Sequence, residues 1–130
     1  MPIYYCDGER LKRGIYASTN WLTHNRELVN SLNVFPIPDG DTGTNMSLTL
    51  HKVIETLENN PNTSGVNHLP QVACQIADSS LCGARGSSGV ILSQILRGLA
   101  EGIGDKTRIN SMDIALSLRI SAQKGLFCYR

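Results

Sequence analysis

A loop stiffened by two prolines and followed at once by a helical pattern constrains this sequence more than any other segment. Pro36 and Pro38 cannot lie inside a helix, and residues before proline prefer extended conformations, so residues 33–42 are predicted to form a loop. Asp39 and Asp41 lie two residues apart near its end. Paired carboxylates suit a hard cation such as Mg²⁺, and the helix that follows offers its N-terminus to phosphate. The segment therefore predicts a site for a nucleotide and Mg²⁺, and hence phosphoryl transfer.

The hydrophobic spacing predicts helices along most of the chain. Apolar residues recur on one face of the first three predicted helices, and in residues 88–101 they cover most of the circumference, which predicts a central helix. No segment alternates with period two, so no strand is predicted and the fold class is all-α. Residues 60–67, rich in Asn, Pro, Ser and Gly, are predicted to be a surface connection. The predicted helices are residues 7–32, 42–59, 69–81, 88–101 and 112–124, the last with Ser111 as its N-cap and Gly125 at its end.

Composition excludes several classes of protein. The 130 residues suffice for one domain, and 41% hydrophobic residues allow a true core. A formal net charge of +1 argues against a nucleic-acid surface held by bulk positive charge, and so we expect no nucleic-acid partner. The four cysteines form no C-x-x-C pair, which argues against a zinc knuckle. With no signal-peptide pattern and no apolar run near the ~20 residues of a membrane span, we expect a cytoplasmic protein without a transmembrane segment.

A second glycine-rich turn, residues 83–89, resembles the first loop in placing glycines and hydroxyl side chains just before a predicted helix. Ser87 and Ser88 follow two glycines and lead into a helix N-terminus, where amides and hydroxyls favour an anion. Two helix starts converging on one nucleotide would explain why both loops have this composition. Each loop alone also fits an ordinary turn or helix connection, and Arg85 alone fits a solvated or carbonyl-capping side chain as well as a phosphate contact.

Other motifs fit the first loop less well. Counted from Asp39, the fifth and twelfth positions of an EF-hand loop would be Gly43 and Leu50, which cannot supply the required oxygen side chains. The chain contains neither a G-x-x-x-x-G-K-[ST] phosphate loop nor a G-x-S-x-G nucleophile elbow.

Taken together, the two loops resemble a known family. The segments NVFPIPDGDTGTNM (residues 33–46) and GARGSSGVILSQ (residues 83–94) are similar to the nucleotide-binding domain shared by dihydroxyacetone kinase L-type subunits and bacterial fatty acid kinases. The longer first loop, with Val34, Phe35 and Pro36 ahead of the carboxylates, is closer to the fatty acid kinase branch. The resemblance implies an antiparallel helical barrel that binds ATP or ADP at one end through two Mg²⁺ ions.

The same resemblance assigns roles to individual residues. Asp39 and Asp41 would be the metal ligands and the catalytic carboxylates, and Asn33 stands near the position where related kinases have a third acidic ligand. The remaining site residues would surround the nucleotide, and they are Thr42, Gly43, Thr44, Asn45, Met46, Gly86, Ser87 and Ser88.

The implied function is transfer of the γ-phosphoryl group of ATP to a fatty acid carried by a separate protein, with an acyl-phosphate as product. A dihydroxyacetone kinase L-type subunit and a non-catalytic nucleotide-binding or regulatory module are the alternatives. Family domains are longer than this chain, so residues 1–130 are expected to be the N-terminal part of the kinase domain and its barrel to be incomplete. Helices lacking their neighbours would expose apolar faces, which predicts self-association or marginal folding.

Overall fold

The computed structural model describes residues 4–35, 37–60 and 67–129, with side chains up to residue 126. Within these residues the regular structure is helical, which confirms the all-α prediction, and β pairing is limited to an isolated antiparallel bridge between Cys6 and Ile109. Most of the predicted connection at residues 60–67 lies outside the described part. The helices are α1 (Gly8–His24), α2 (Arg26–Leu32), α3 (Thr42–Asn59), α4 (Leu69–Cys82), α5 (Gly86–Ile103) and α6 (Ser111–Tyr129).

The prediction of one helix over residues 7–32 is wrong in one respect, because the structure divides this segment into two helices at Asn25. The Asn25 side-chain amide donates to the Trp21 carbonyl at 2.9 Å, and its backbone N–H bonds to Trp21 and Leu22 carbonyls at 3.1 Å. Asparagine side chains compete with the helical backbone in this way. The break starts a separate short helix, α2, which ends beside the proline loop.

The core lies between α1, α3, α4 and α5. Their apolar stripes meet because each helix repeats hydrophobic residues at helical spacing. The helix predicted to be central, α5, packs against α3, α4 and α6, while α3 packs against four helices, α1, α2, α4 and α5. A second cluster forms where Ile103 and Ile109 pack on Leu69 and Ala73 of α4. The main cluster comprises Ile15, Leu50, Val53, Leu57, Val72, Ile76 and Leu96.

The last helix begins and ends differently from the prediction. Asn110, not Ser111, caps α6: its side-chain oxygen accepts from the Asp113 N–H at 3.0 Å, and an Asp113 carboxylate oxygen accepts from the Asn110 N–H at 3.1 Å. This reciprocal pair is a capping box. Gly125, predicted to end the helix, lies buried inside it with Ile95 so close that a Cβ would be 3.0 Å from its Cγ1. A glycine at this position therefore allows α6 to pack closely on α5 and does not end the helix.

One side of α6 packs on α5, and the other has no helix against it in the described structure. The described helices therefore do not close into a ring. No helix in the described ranges is both long and apolar enough to cross a bilayer. Among the described side chains of α6, the large apolar ones that are exposed are Met112, Ile114, Leu116, Leu118 and Leu126.

Candidate functional site

The loop that carries the two carboxylates is organised by Asn33. Its side-chain oxygen accepts from the backbone N–H groups of Asp41 at 3.1 Å and Thr42 at 3.3 Å, and its amide nitrogen donates to the Ile37 carbonyl at 3.4 Å. Gly40 lies in the left-handed region with φ +66°, which a residue without a Cβ adopts readily. Asn33 thus caps α3 from outside the helix, and the Asp41 side chain makes no capping hydrogen bond.

The first turn of α3 is also held by Asn30 from α2. The Asn30 side-chain oxygen accepts from the Thr44 N–H at 3.0 Å, and its amide nitrogen donates to the Thr44 hydroxyl at 2.9 Å. Gly43 allows this approach, because a Cβ there would lie 2.5 Å from the Arg26 carbonyl oxygen and 3.0 Å from the Asn30 oxygen. Sequence reasoning missed Asn30. The available signal was a pair of asparagines three residues apart just before the loop.

Both carboxylates remain available for a ligand. Asp39 and Asp41 are exposed, and neither side chain has a hydrogen-bond or ion-pair partner among the described residues. No cluster of three or more His, Cys, Asp or Glu side chains suited to a metal occurs in the described ranges. Mg²⁺ is commonly bound by one or two carboxylates together with phosphate and water oxygens. The donor set at Asp39 and Asp41 fits that mode of binding.

The structure brings the second glycine loop against the first turn of α3. The Ser88 hydroxyl donates to the Thr42 carbonyl at 3.4 Å. A Cβ on Gly86, which has φ +64°, would lie 2.4 Å from the side-chain nitrogen of Asn45. The N-termini of α3 and α5 therefore lie side by side, and Gly86 permits that contact.

Thr49, which sequence analysis did not single out, anchors the second loop. Its hydroxyl accepts from the Arg85 N–H at 3.1 Å and donates to the Asn45 carbonyl at 2.8 Å. A Cβ on Gly89 would be 2.5 Å from the same oxygen. Gly89 is thus required by packing on α3, and the Arg85 side chain stays exposed.

The two helix N-termini differ in the donors that they offer. In α3 the N–H groups of Thr42 and Thr44 already bond to asparagine side chains. In α5 no side chain caps the helix, and the N–H groups of Gly86, Ser87 and Ser88 have no hydrogen-bond partner among the described residues. Free N–H groups at a helix start favour an anion. The α5 terminus is accordingly better suited to phosphate than the α3 terminus, which offers mainly hydroxyls.

Exposed apolar side chains precede the carboxylates in the proline loop. Val34, Phe35 and Ile37 are exposed by 66%, 83% and 61%. A cavity of about 560 Å³ opens further along α3, where Lys52 and Glu55 face the Arg85 end of the second loop. Neither carboxylate of the proline loop lines that cavity, so it is separate from the predicted metal site.

Comparison with known proteins connects these loops to a family. Residues 36–127 match the DAK2 domain. Protein YloV of Bacillus subtilis is 39% identical over 119 residues, which cover 92% of this chain and 21% of YloV. An uncharacterized protein of Staphylococcus haemolyticus is 45% identical over 98 residues, covering 75% of this chain and 17% of the relative. An uncharacterized protein of Staphylococcus aureus is 43% identical over 102 residues, which cover 78% of this chain and 18% of the relative. The chain spans about a fifth of the length of these curated relatives.

Proposed function

The chain belongs to the DAK2 domain family, a group of kinase-type modules, and we propose that it forms the ATP- and magnesium-binding part of a kinase. One observation carries the proposal: Asp39 and Asp41, whose carboxylates have no partner among the described residues, immediately precede α3. The N-terminus of α5, which no described side chain caps, packs beside the start of α3. Anionic ligands for a cation and free donors for an anion thus occur at neighbouring positions, which is what a metal–nucleotide complex requires.

The proposed roles follow from the chemistry of each group. Asp39 and Asp41 would hold Mg²⁺, which when bound neutralises charge on the β- and γ-phosphates. The α5 N–H groups and the Ser87 and Ser88 hydroxyls would donate to phosphate oxygens, and the Thr44 hydroxyl would donate from α3. Phosphoryl transfer depends mainly on positioning and electrostatic stabilisation, so the site requires no resident base.

For the acceptor we propose a fatty acid carried by a separate protein, with an acyl-phosphate as product. The longer proline loop, which resembles that of fatty acid kinases, supports this choice over dihydroxyacetone. The exposed Val34, Phe35 and Ile37 also support a protein partner, since exposed apolar patches commonly mark protein interaction sites. They precede the carboxylates in the same loop, so a carrier docked there would bring its substrate toward the phosphoryl donor.

The nucleotide part is tested by titrating the 130-residue chain with ADP in the presence of Mg²⁺ and, separately, of EDTA, by isothermal calorimetry. Binding that requires Mg²⁺ is the expected result. Absence of binding under both conditions would contradict the proposal. Asp78→Asn, which removes an exposed carboxylate paired with Arg97 on the neighbouring helix, provides a control.

The acceptor is tested by phosphoryl transfer from ATP in two parallel assays, with a fatty-acid-carrying protein and with a dihydroxyacetone-carrying protein. Acyl-phosphate, trapped with hydroxylamine, is expected in the first assay. Product in the second assay instead would identify an L-type dihydroxyacetone kinase subunit. Magnesium-dependent ADP binding with product in neither assay would identify a non-catalytic nucleotide-binding module.

A further inference from the structure

The side chain of Asn30 contacts the backbone and the hydroxyl of Thr44 at once. Its oxygen is 3.0 Å from the Thr44 nitrogen, and its amide nitrogen is 2.9 Å from the Thr44 Oγ1. A backbone N–H can only donate, so the atom facing it must be the amide oxygen, and the nitrogen must face the hydroxyl. The orientation of the Asn30 amide, and with it the direction of the second hydrogen bond, is thereby determined.

That direction sets the role of the Thr44 hydroxyl. Because Asn30 donates to it, the hydroxyl oxygen is an acceptor in this bond and its own hydrogen must find another acceptor. Thr19, Thr49 and Thr56 donate to the carbonyl four residues earlier in their helices. Thr44 lies in the first turn, and in the described part of the chain its hydroxyl hydrogen has no such acceptor.

We propose that Asn30 is a positioning residue that orients the Thr44 hydroxyl so that its hydrogen donates to the phosphate of a bound nucleotide. The inference rests on the proposed nucleotide site. A neutral amide suits this role because it accepts from the Thr44 N–H and donates to its hydroxyl. A carboxylate can only accept, so it would turn the hydroxyl hydrogen toward residue 30 and present a lone pair to the phosphate.

The matched variant is Asn30→Asp, which retains the shape and the acceptor for the Thr44 N–H but reverses the second hydrogen bond. We expect its dissociation constant for Mg·ADP to rise about tenfold to a hundredfold, the range for a lost hydrogen bond to a charged group. The thermal unfolding midpoint without nucleotide should change little, because the N–H remains bonded. Ser31→Asp, at an exposed neighbouring position, measures the effect of the added charge by itself.

Substitution of Thr44 separates positioning from a purely structural effect. In a Thr44→Val background, Asn30→Asp should weaken Mg·ADP binding only as much as Ser31→Asp does, within about twofold, the usual limit of additivity. In a Thr44→Ser background, which keeps the hydroxyl, Asn30→Asp should again weaken Mg·ADP binding by the full amount. Thr44→Val by itself should weaken binding as much as Asn30→Asp, which provides a test if the latter variant fails to fold.

The outcomes distinguish the inference from the function on which it rests. If the unaltered chain binds Mg·ADP and Asn30→Asp binds no worse than Ser31→Asp, the role of Asn30 is wrong and the nucleotide site stands. The role of Asn30 would also be wrong if Asn30→Asp weakened Mg·ADP binding equally with Thr44 and with Thr44→Val, because the effect would not act through the hydroxyl. If the unaltered chain does not bind Mg·ADP, the proposed function fails and the inference fails with it.

Discussion

Gly98 of α5 and Ser121 of α6 approach so closely that a Cβ on Gly98 would lie 2.6 Å from the Ser121 Cα. One helical turn further along α5, a Cβ on Gly102 would lie 2.5 Å from the Ser117 Cα. At Gly98 the three nearest atoms all belong to the backbone of α6, which cannot move without moving the helix. Paired small residues therefore set the distance between the two helices.

Gly98→Ala is expected to destabilise the protein by about 1–3 kcal/mol, the usual cost of overpacking, because α5 and α6 must move apart. Gly14→Ala is the control. It also lies inside a helix, but a Cβ there would meet no atom of the described residues within 4 Å. This second change should instead stabilise the protein by about 0.5–1 kcal/mol. Urea unfolding followed by circular dichroism measures both, and equal effects of the two changes would contradict the packing argument.

Asp41→Ala is expected to remove Mg·ADP binding without unfolding the chain. Its carboxylate is exposed and makes no capping hydrogen bond, so the folded state loses little when it is removed. Calorimetric titration and thermal unfolding of the same sample measure the two effects. Asp105→Ala, at an exposed position in the loop before α6, should leave binding unchanged. An unaltered binding isotherm for Asp41→Ala would contradict its assignment as a metal ligand.

Asn33→Ala is expected to cost about 1 kcal/mol of stability, since the first turn of α3 loses its cap. Asn33→Asp keeps an acceptor for the same two N–H groups and should retain most of that stability. Denaturant unfolding of the two variants, with Asn20→Ala on the exposed side of α1 as the control, measures the difference. Equal losses for alanine and aspartate would show that the capping bonds contribute little.

Asp113 should make stability depend on pH in the acid range. Its hydrogen bond from Lys106, and secondly that from the Asn110 N–H, lower the pKa of the Asp113 carboxyl in the folded state. A lowered folded pKa gives stability that is present above the ordinary aspartate pKa of about 3.9 and is lost as pH falls through the folded value. Asp113→Asn should therefore lose less stability than the unaltered protein between about pH 5 and pH 2. Urea unfolding across this range tests the prediction, with Asp105→Asn as the control.

Self-association is expected through the exposed apolar side of α6. Leu118 is 56% exposed and Leu126 64% exposed on the helix side that no described helix covers. Burying such side chains in a dimer removes apolar surface from water. Leu118→Glu should lower the sedimentation-average mass at a given concentration, and Leu81→Glu on α4, also exposed, should not. A monomeric unaltered chain at all concentrations would contradict this prediction.

The helices were predictable to within a few residues because hydrophobic spacing is a local property of the sequence. For example, α3 begins and ends where the pattern placed it. Two of the errors occur where a single side chain decides a boundary. Asn25 ends α1 through its own amide, and Asn110 caps α6 in place of Ser111. Such choices depend on side-chain orientation, which periodicity does not contain.

The sequence by itself determined the helical class, the loop between two helices and the acidic pair within it, because these follow from proline geometry, periodicity and residue chemistry over short distances. Tertiary structure decided which contacts the residues around the acidic pair make. Asn30 reaches Thr44, fourteen positions away, and Gly86 and Gly89 are needed because α3 passes beside them. Contacts of this kind exist only once separate helices have packed, so their partners could not be assigned from spacing along the chain.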